Sequence, residues 1–386
     1  MSDSCRTLLV QPTLAKYRVP VYRELAAREG IDFRLWYGDH DVLQNAEPDG
    51  FHAELKPLKA WRFGGQELLW HGAQVEAARS DIDVLMLGWG SRYLSQGPAL
   101  RQAKRRGLPV VLWGHGYSKN ETPFRRFLRD RLAKYATALM FYDRLTADAA
   151  VASGWPAEKV FVAPNAIDQA PIAAARKACL ENQASLRSFQ EENQLEGRRV
   201  LLYVSRFSPE NRLDLLVEAI ESLRSRMPEV LAVLVGGGAE FDRIQQMVRE
   251  KNLESHLRLL GPIYEEEKLA PWFVSSEAYV YPSAIGLSLL HAFGYGLPVV
   301  TDDGQGSHNP EIVAYNPDPE SPGANGLSYS AGQSQSLADT LERLLGDHDL
   351  RGKLANGALE TIERQYNVPA MVDGMAAAIR YCHEHR

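Results

Sequence analysis

Short apolar runs recur along this chain with stretches of helical period between them, and the alternation starts afresh halfway along. In the first half the runs cover residues 8–10, 31–36, 84–87, 109–113, 138–141 and 160–162. Between them, residues 19–27, 93–106 and 124–135 repeat apolar side chains every three or four positions. Runs of this kind read as strands buried on both faces, and strands joined through helices must run parallel, so the pattern predicts a parallel sheet covered by helices on both sides.

The rhythm breaks over residues 166–194, where alanine and polar residues carry no strand signal. A second series follows, with strand-like runs at 200–204, 230–235, 257–260, 278–281 and 298–301 and helical stretches at 213–226, 241–251 and 287–293. The expected fold class is therefore α/β, with two consecutive Rossmann-like, doubly wound units. Residues 1–168 form the first, 169–194 a connection and 195–368 the second, and an amphipathic stretch ends the chain.

A chain of 386 residues with 45% hydrophobic and 24% charged side chains can bury two such cores, which excludes a disordered reading. Cys5, Cys179 and Cys382 are far apart and fit neither a disulfide framework nor a zinc site, which suits a reducing cytoplasm. Residues 1–10 have no signal-peptide pattern and no apolar run is long enough to span a bilayer, so the expectation is a cytoplasmic protein, soluble or peripheral at the inner face of the cytoplasmic membrane.

Charge is unevenly spread: residues 1–165 hold 23 Lys and Arg against 18 Asp and Glu, and the remainder 20 against 31. Arg101, Lys104, Arg105, Arg106, Arg125, Arg126, Arg129, Arg131 and Lys134 are either a solvated helix face or an attractor for anionic lipid or a pyrophosphate-bearing acceptor. No aromatic-rich motif accompanies them, so nucleic acid is not an expected partner.

The sharpest local signal is the stretch from Pro282 to Val300, a strand end, a turn at Gly286, a helix and a further strand. A parallel sheet presents such a turn at its carboxyl edge, where open α/β sheets bind ligands, and the backbone amides of Gly286, Leu287, Ser288 and Leu289 then face a diphosphate-sized anion. Taken alone, the same pattern is equally a packing turn.

This stretch resembles the donor-site signature of the retaining GT-B glycosyltransferases of family 4. Further matching pieces are Tyr17-Arg18-Val19-Pro20, Gly114-His115-Gly116, Pro164-Asn165-Ala166-Ile167-Asp168, Ser205-Arg206-Phe207-Ser208-Pro209-Glu210, Val235-Gly236-Gly237-Gly238, Leu260-Gly261-Pro262 and Asn309-Pro310-Glu311-Ile312-Val313. Each piece is weak, but their order and spacing are specific to the family. The resemblance implies two domains facing a central cleft, acceptor in the first and donor in the second, with a final helix at 369–386 packing back on the first.

It also implies roles. Arg206 neutralises the donor diphosphate, a task suited to a guanidinium. The family's lysine five positions later is replaced by Asn211, followed by Arg212, which either substitutes for it or is a solvated first-turn residue. His115 touches the donor sugar near the reacting carbon. Gly237, Pro262 and Ile263 match donor-binding loops, and Pro262 and Ile263 lie where relatives hold the base with backbone groups. Lys16, Tyr17 and Arg18 are either acceptor or phosphate contacts or a plain helix start.

The clearest departure lies in the family's paired glutamates, whose positions hold Ser283 and His291. A carboxylate accepts from both ribose hydroxyls, whereas a neutral imidazole offers one acceptor nitrogen. Either the donor is gripped differently or the site has decayed. Asp81-Ile82-Asp83 precedes a strand instead of following one, and Asp302-Asp303 lacks a third ligand, so no metal and no cofactor beyond the nucleotide-sugar substrate is expected.

The resemblance implies a retaining, metal-independent hexosyltransferase acting on a saccharide or lipid-linked saccharide acceptor in bacterial surface polysaccharide or lipopolysaccharide assembly. Ser283, His291 and Asn211 leave a non-catalytic nucleotide- or partner-binding relative as one alternative, and because a fold does not fix its reaction, a GT-B-like epimerase or phosphorylase is another.

Overall fold

The computed structural model of the chain describes residues 4–40, 44–63, 66–116, 122–304, 306 and 308–386. The chain divides into two compact units, residues 1–168 with 367–386 and residues 169–366.

Among the described residues, the first unit has a parallel sheet of seven strands: β1 (Cys5–Gln11), β2 (Ile31–Tyr37), β3 (His52–Leu55), β6 (Val84–Gly88), β7 (Val110–Gly114), β8 (Ala138–Phe141) and β9 (Val160–Val162). Their order across the sheet is β3-β2-β1-β6-β7-β8-β9. A two-stranded antiparallel ribbon, β4 (Leu58–Phe63) and β5 (Gln66–His71), is inserted before β6.

Successive side chains of a strand point to opposite faces, and the core divides accordingly. Leu9, Met86, Val111, Trp113 and Met140 pack on one side, and Leu8, Val10, Leu85, Leu87, Leu112 and Phe141 on the other. The first face is covered by the helix Val19–Ala26 and by the last helix, Val368–Glu384. That last helix starts on an Asn367 side chain accepting from the Ala370 amide at 2.9 Å, with Pro369 in its first turn. It buries Met371, Val372, Met375, Ala376, Ile379 and Cys382. Each large apolar side chain hidden this way contributes about 2 kcal/mol, and Gly374 lets the helix approach until an added Cβ would lie 2.0 Å from the Val162 carbonyl oxygen.

The second unit has six parallel strands, β10 (Arg199–Val204), β11 (Val230–Val235), β12 (Leu257–Gly261), β13 (Ala278–Val280), β14 (Val299–Asp302) and β15 (Gly326–Tyr329), in the order β12-β11-β10-β13-β14-β15. Residues 169–194, read from the sequence as a connecting stretch, form the helices Ala170–Glu181 and Gln183–Glu192 within this unit, where Phe189 meets Trp272 edge-on at 4.9 Å. Strands β3, β4, β5 and β15 were not evident from the apolar runs. β3 lies at the sheet edge and β4 is largely exposed, while β5 buries only Leu69 and His71 among its described side chains, so none of the three needs a continuous apolar run.

Each sheet has one point at which successive connections leave in opposite directions, between β1 and β6 in the first unit and between β10 and β13 in the second. The loops at the carboxyl ends of those strands are where this architecture receives ligands.

Candidate functional site

In the second unit, the loop after β10 carries Arg206. Its backbone is fixed from below, the Arg206 carbonyl accepting from Tyr203 Oη at 2.8 Å and from Asn211 Nδ2 at 2.7 Å. The side chain is exposed, and its guanidinium makes no hydrogen bond or ion pair among the described residues. Asn211, predicted to bind donor, is 4% exposed and spends its amide on Tyr203 Oη and the Arg206 carbonyl. Arg212 has a left-handed backbone, φ 53°, and its guanidinium faces Asp214, with Nη2 2.9 Å from Oδ2. It is therefore engaged within its own helix turn.

The loop after β11 presses against this segment, and the end of β12 supports that loop through the Gly261 carbonyl, which accepts from the Gly236 amide at 2.9 Å. A Cβ on Gly236 would lie 1.8 Å from the Ser205 carbonyl oxygen, and one on Gly238 2.5 Å from that of Phe207. Both positions also have φ near +145° (147° and 144°), which only glycine adopts easily. Gly237 accepts from the Phe207 amide at 2.8 Å, and its own Cβ direction is open, with Pro262 Cδ 3.8 Å away. Pro262 is exposed and Ile263 half-buried.

Across the switch point, the loop after β13 is tied to the same scaffold by the Ser283 amide, which donates to the Asn211 carbonyl at 3.2 Å. Ala284 adopts φ 60° there. Asn309, in the loop beyond β14, braces the turn by donating from its amide nitrogen to the Ile285 carbonyl at 2.9 Å and from Nδ2 to the Ala284 carbonyl at 3.0 Å. A side chain at Gly286 would meet Asn309 Nδ2 at 2.9 Å. Half-buried Leu287 and Ser288 and buried Leu289 then open the helix Ser288–Gly294.

The two positions that depart from the family pattern each touch a carboxylate from another element. Ser283, 8% exposed, hydrogen-bonds Asp302, which also accepts from the Gly304 amide at 2.9 Å and lies 2.9 Å from His308 Nε2. Burial would raise the Asp302 carboxyl, but the His308 and Ser283 hydrogen bonds outweigh it and hold the group below its ordinary range. His291 Nε2 lies 2.9 Å from Glu266 Oε1, which also accepts from Tyr295 Oη. His291 thus turns toward Glu266 and Phe273, whose ring centroid is 4.7 Å away. Asp302 entered the sequence reading only as half of an acidic pair without a third ligand, and no sequence signal pointed to His308 or Glu266.

In the first unit, Lys16, Tyr17 and Arg18 form a single turn just after β1, and His115 follows β7. Lys16 is exposed. Arg18 is 7% exposed, with its guanidinium carbon 5.1 Å from the Tyr17 ring centroid, 5.0 Å from Trp113 and 5.5 Å from Tyr142, and Nη1 donating to Met371 Sδ at 3.0 Å. His115 stacks on the same Tyr142 ring at 4.3 Å. Burial pushes its imidazole down to about 4, the Arg18 charge adding to the effect and Asp143 opposing it, so the ring is neutral at pH 7. Its buried Nδ1 has no hydrogen-bond partner among the described residues, which leaves it one polar contact to make. Trp113 was not singled out in the sequence, because a buried aromatic in a strand reads simply as core, and half-buried Tyr142, one residue beyond β8, carried no motif.

Asp81 and Asp83 lie at the opposite, amino edge of the sheet, where both pair with Arg6 at 2.6 and 2.9 Å. Among the described residues no three His, Cys, Asp or Glu side chains gather as a metal-binding group, and no helix is long and apolar enough to cross a membrane.

Residues 185–361 match the family model of glycosyl transferases group 1. The α-D-kanosaminyltransferase of Streptomyces kanamyceticus is 25% identical over 295 residues, 75% of this chain and 68% of that protein. The lipopolysaccharide core biosynthesis glycosyltransferase LpsE of Rhizobium meliloti is 25% identical over 177 residues, 45% of this chain and 47% of that protein. In fold, the chain resembles Anabaena HepE, solved in complex with UDP, with a TM-score of 0.69, 16% identity and coverage of 96% of this chain and 98% of that one. Domain match, relatives and fold agree on a glycosyltransferase of the GT-B fold, with the group 1 match itself confined to residues 185–361.

Proposed function

We propose that the enzyme transfers a hexose-type sugar from a nucleoside diphosphate to an acceptor hydroxyl with retention of anomeric configuration and without a metal ion, in the assembly of a bacterial surface polysaccharide or lipopolysaccharide. The observation that carries this reading is the exposed Arg206 guanidinium, unpaired among the described residues, at the switch point of the second sheet, between the glycine loop Gly236–Gly238 and the braced turn Ser283–Gly286. An arginine held on a fixed backbone without a protein carboxylate is suited to a phosphate, whose oxygens it contacts in pairs. Gly237 leaves room for a ligand to approach the main chain, Gly286 lets Asn309 brace the turn, and the amides of Gly286, Leu287 and Ser288 add donors for a diphosphate.

In this scheme Arg206 stabilises the charge that builds on the diphosphate as the glycosidic bond to the anomeric carbon breaks. The departing diphosphate lies on the face from which the acceptor hydroxyl enters and takes its proton, so no protein nucleophile is required. The protein's contribution is positioning and fixed positive charge. Neutral His115 supplies a single hydrogen-bonding nitrogen to a sugar hydroxyl, and Arg18, fixed among three aromatic rings, bears on the acceptor side. The basic first unit fits an acceptor carried on lipid at the inner face of the cytoplasmic membrane.

The test is a thermal-shift screen with UDP, GDP, dTDP and their sugars, followed by turnover of the hit with and without EDTA. A ligand present at about a hundred times its Kd adds about 2.7 kcal/mol to the folded state. Expected is a shift with one nucleotide class and turnover that survives EDTA; loss of turnover on chelation refutes the metal-free scheme, and no shift with any nucleotide refutes the donor site.

A further inference from the structure

The Arg206 guanidinium makes no hydrogen bond or ion pair among the described residues, so its reach is set by the main chain beneath it. That main chain is gripped at the Arg206 carbonyl, which accepts from Tyr203 Oη at 2.8 Å and from Asn211 Nδ2 at 2.7 Å, while Nδ2 also donates to Tyr203 Oη at 2.9 Å. The three groups close a ring in which each donor has its acceptor. The ring is enclosed, with Asn211 4% exposed and Tyr203 fully buried. An amide nitrogen carries two protons and both are used here, and a carbonyl can face only the nitrogen end of the amide, so the orientation of the Asn211 side chain is fixed.

Asn211 also reaches the other loop of the site. Its backbone carbonyl accepts from the Ser283 amide at 3.2 Å, and Ser283 opens the turn that Asn309 braces. Asn211 therefore joins the end of β10, the Arg206 loop and the turn after β13. A direct contact with a phosphate oxygen would need an amide proton, and both of them face inward. We infer that Asn211 is a positioning residue: together with Tyr203 it clamps the Arg206 carbonyl and so aims the guanidinium at the diphosphate, instead of binding the donor itself. Where the family pattern has a lysine, this chain has a mount for Arg206 in place of a second cation. The inference rests on the reading of Arg206 as the diphosphate contact.

A double-mutant cycle on nucleoside diphosphate affinity tests it. UDP, GDP and dTDP are titrated calorimetrically into wild type, Arg206→Ala, Asn211→Leu, Tyr203→Phe and the latter two changes each combined with Arg206→Ala. Leucine fills the space of asparagine without donors, and phenylalanine removes only the hydroxyl. A charge-assisted contact to phosphate is worth about 10- to 100-fold in affinity, so Arg206→Ala should weaken the best-bound nucleotide by that much. Asn211→Leu should weaken it about tenfold and Tyr203→Phe about threefold. With Arg206 already replaced by Ala, each should change affinity by less than about twofold. Losses that persist in full without Arg206 overturn the inference, because they mark a direct contact or a general loosening of the loop. So does wild-type affinity in both Asn211→Leu and Tyr203→Phe. If Asn211→Leu fails to fold, the Tyr203→Phe arm decides the question. The two readings fail separately: wild-type affinity in Arg206→Ala removes the donor reading and with it anything for the clamp to aim at, whereas a loss at Arg206 with fully additive losses at Asn211 removes the clamp and leaves the donor reading standing.

Discussion

Replacing His115 by Asn should remove part of the acid sensitivity of the first unit. The imidazole titrates near 4 in the folded chain, against 6.5 for an ordinary histidine. Between those values the unfolded chain binds a proton at this position and the folded chain does not, so stability is complete above about pH 6.5 and declines as pH falls toward 4. From about pH 7 to about pH 5 the loss is about 2 kcal/mol for a fully enclosed ring, and about 1 to 1.5 kcal/mol once the partial solvent access of His115 is allowed for. His71, buried and also pushed down to about 4, contributes a loss of the same sign. It is present in both proteins and cancels in the difference.

Urea unfolding followed by tryptophan fluorescence suits the measurement, because six of the seven tryptophans (Trp36, Trp61, Trp70, Trp89, Trp113 and Trp155) belong to the first unit. Only the pH difference matters, so a general destabilisation of His115→Asn is harmless. Wild type should lose about 1 kcal/mol more than the variant over that interval. Parallel losses in the two proteins would refute the reasoning, since they would mean that His115 takes up its proton as freely folded as unfolded and is not the neutral contact assigned to it.

Arg206→Ala should lower kcat/KM by about a hundredfold or more, with Arg206→Lys recovering part of it, as expected for a group acting through charge on the diphosphate. Arg212→Ala should change kcat/KM by no more than about threefold, because its guanidinium is already engaged by Asp214; a loss matching that of Arg206 would show that the pair opens to receive the donor. Gly374→Ala gains about 1 kcal/mol of helix propensity. It also drives a methyl into the Val162 carbonyl at 2.0 Å and must push the last helix off its sheet, so denaturation of the first unit should show a net loss of about 2 kcal/mol or more.

The doubly wound class was legible because buried parallel strands cannot avoid continuous apolar runs. Every run singled out in the sequence lies on or overlaps a strand of one of the two sheets. The strands it missed lack that constraint: β3 exposes His52, Glu54 and Leu55 at the sheet edge, and the β4–β5 ribbon has exposed positions on both strands, Trp61 and Trp70 among them. The ribbon did leave a signal, Gly64-Gly65 between two six-residue strand-like segments, which is the spacing of a hairpin. Motif position was similarly legible, since Arg206, Ser283 and Gly286 follow the two strands that flank the second switch point and Gly237 follows the next strand, β11. What each side chain touches was not, and Arg212 shows why: a cation two residues before Asp214 can point at a ligand or at its neighbour, and only the left-handed turn at Arg212 decides it.

The same limit governs the replaced glutamates. Read along the chain, Ser283 and His291 are two lost carboxylates, and a site without them is either altered or dead. In space neither position lacks an acid. Parallel pairing of β13 with β14 sets Asp302 beside Ser283, and the helix Glu266–Val274 sets Glu266 against His291. Those partners come from 19 and 25 residues away, through sheet register and helix packing that no local pattern encodes. Both carboxyls are held below their ordinary range by the hydrogen bonds they accept, even though burial alone would raise them, so they carry negative charge at neutral pH. A decayed site would keep the serine and the histidine as unpaired polar groups in a half-buried pocket, at a cost of about 1 to 3 kcal/mol each. Here each is satisfied by an ionised acid, an arrangement that preserves negative charge behind the two positions where the family pattern has it.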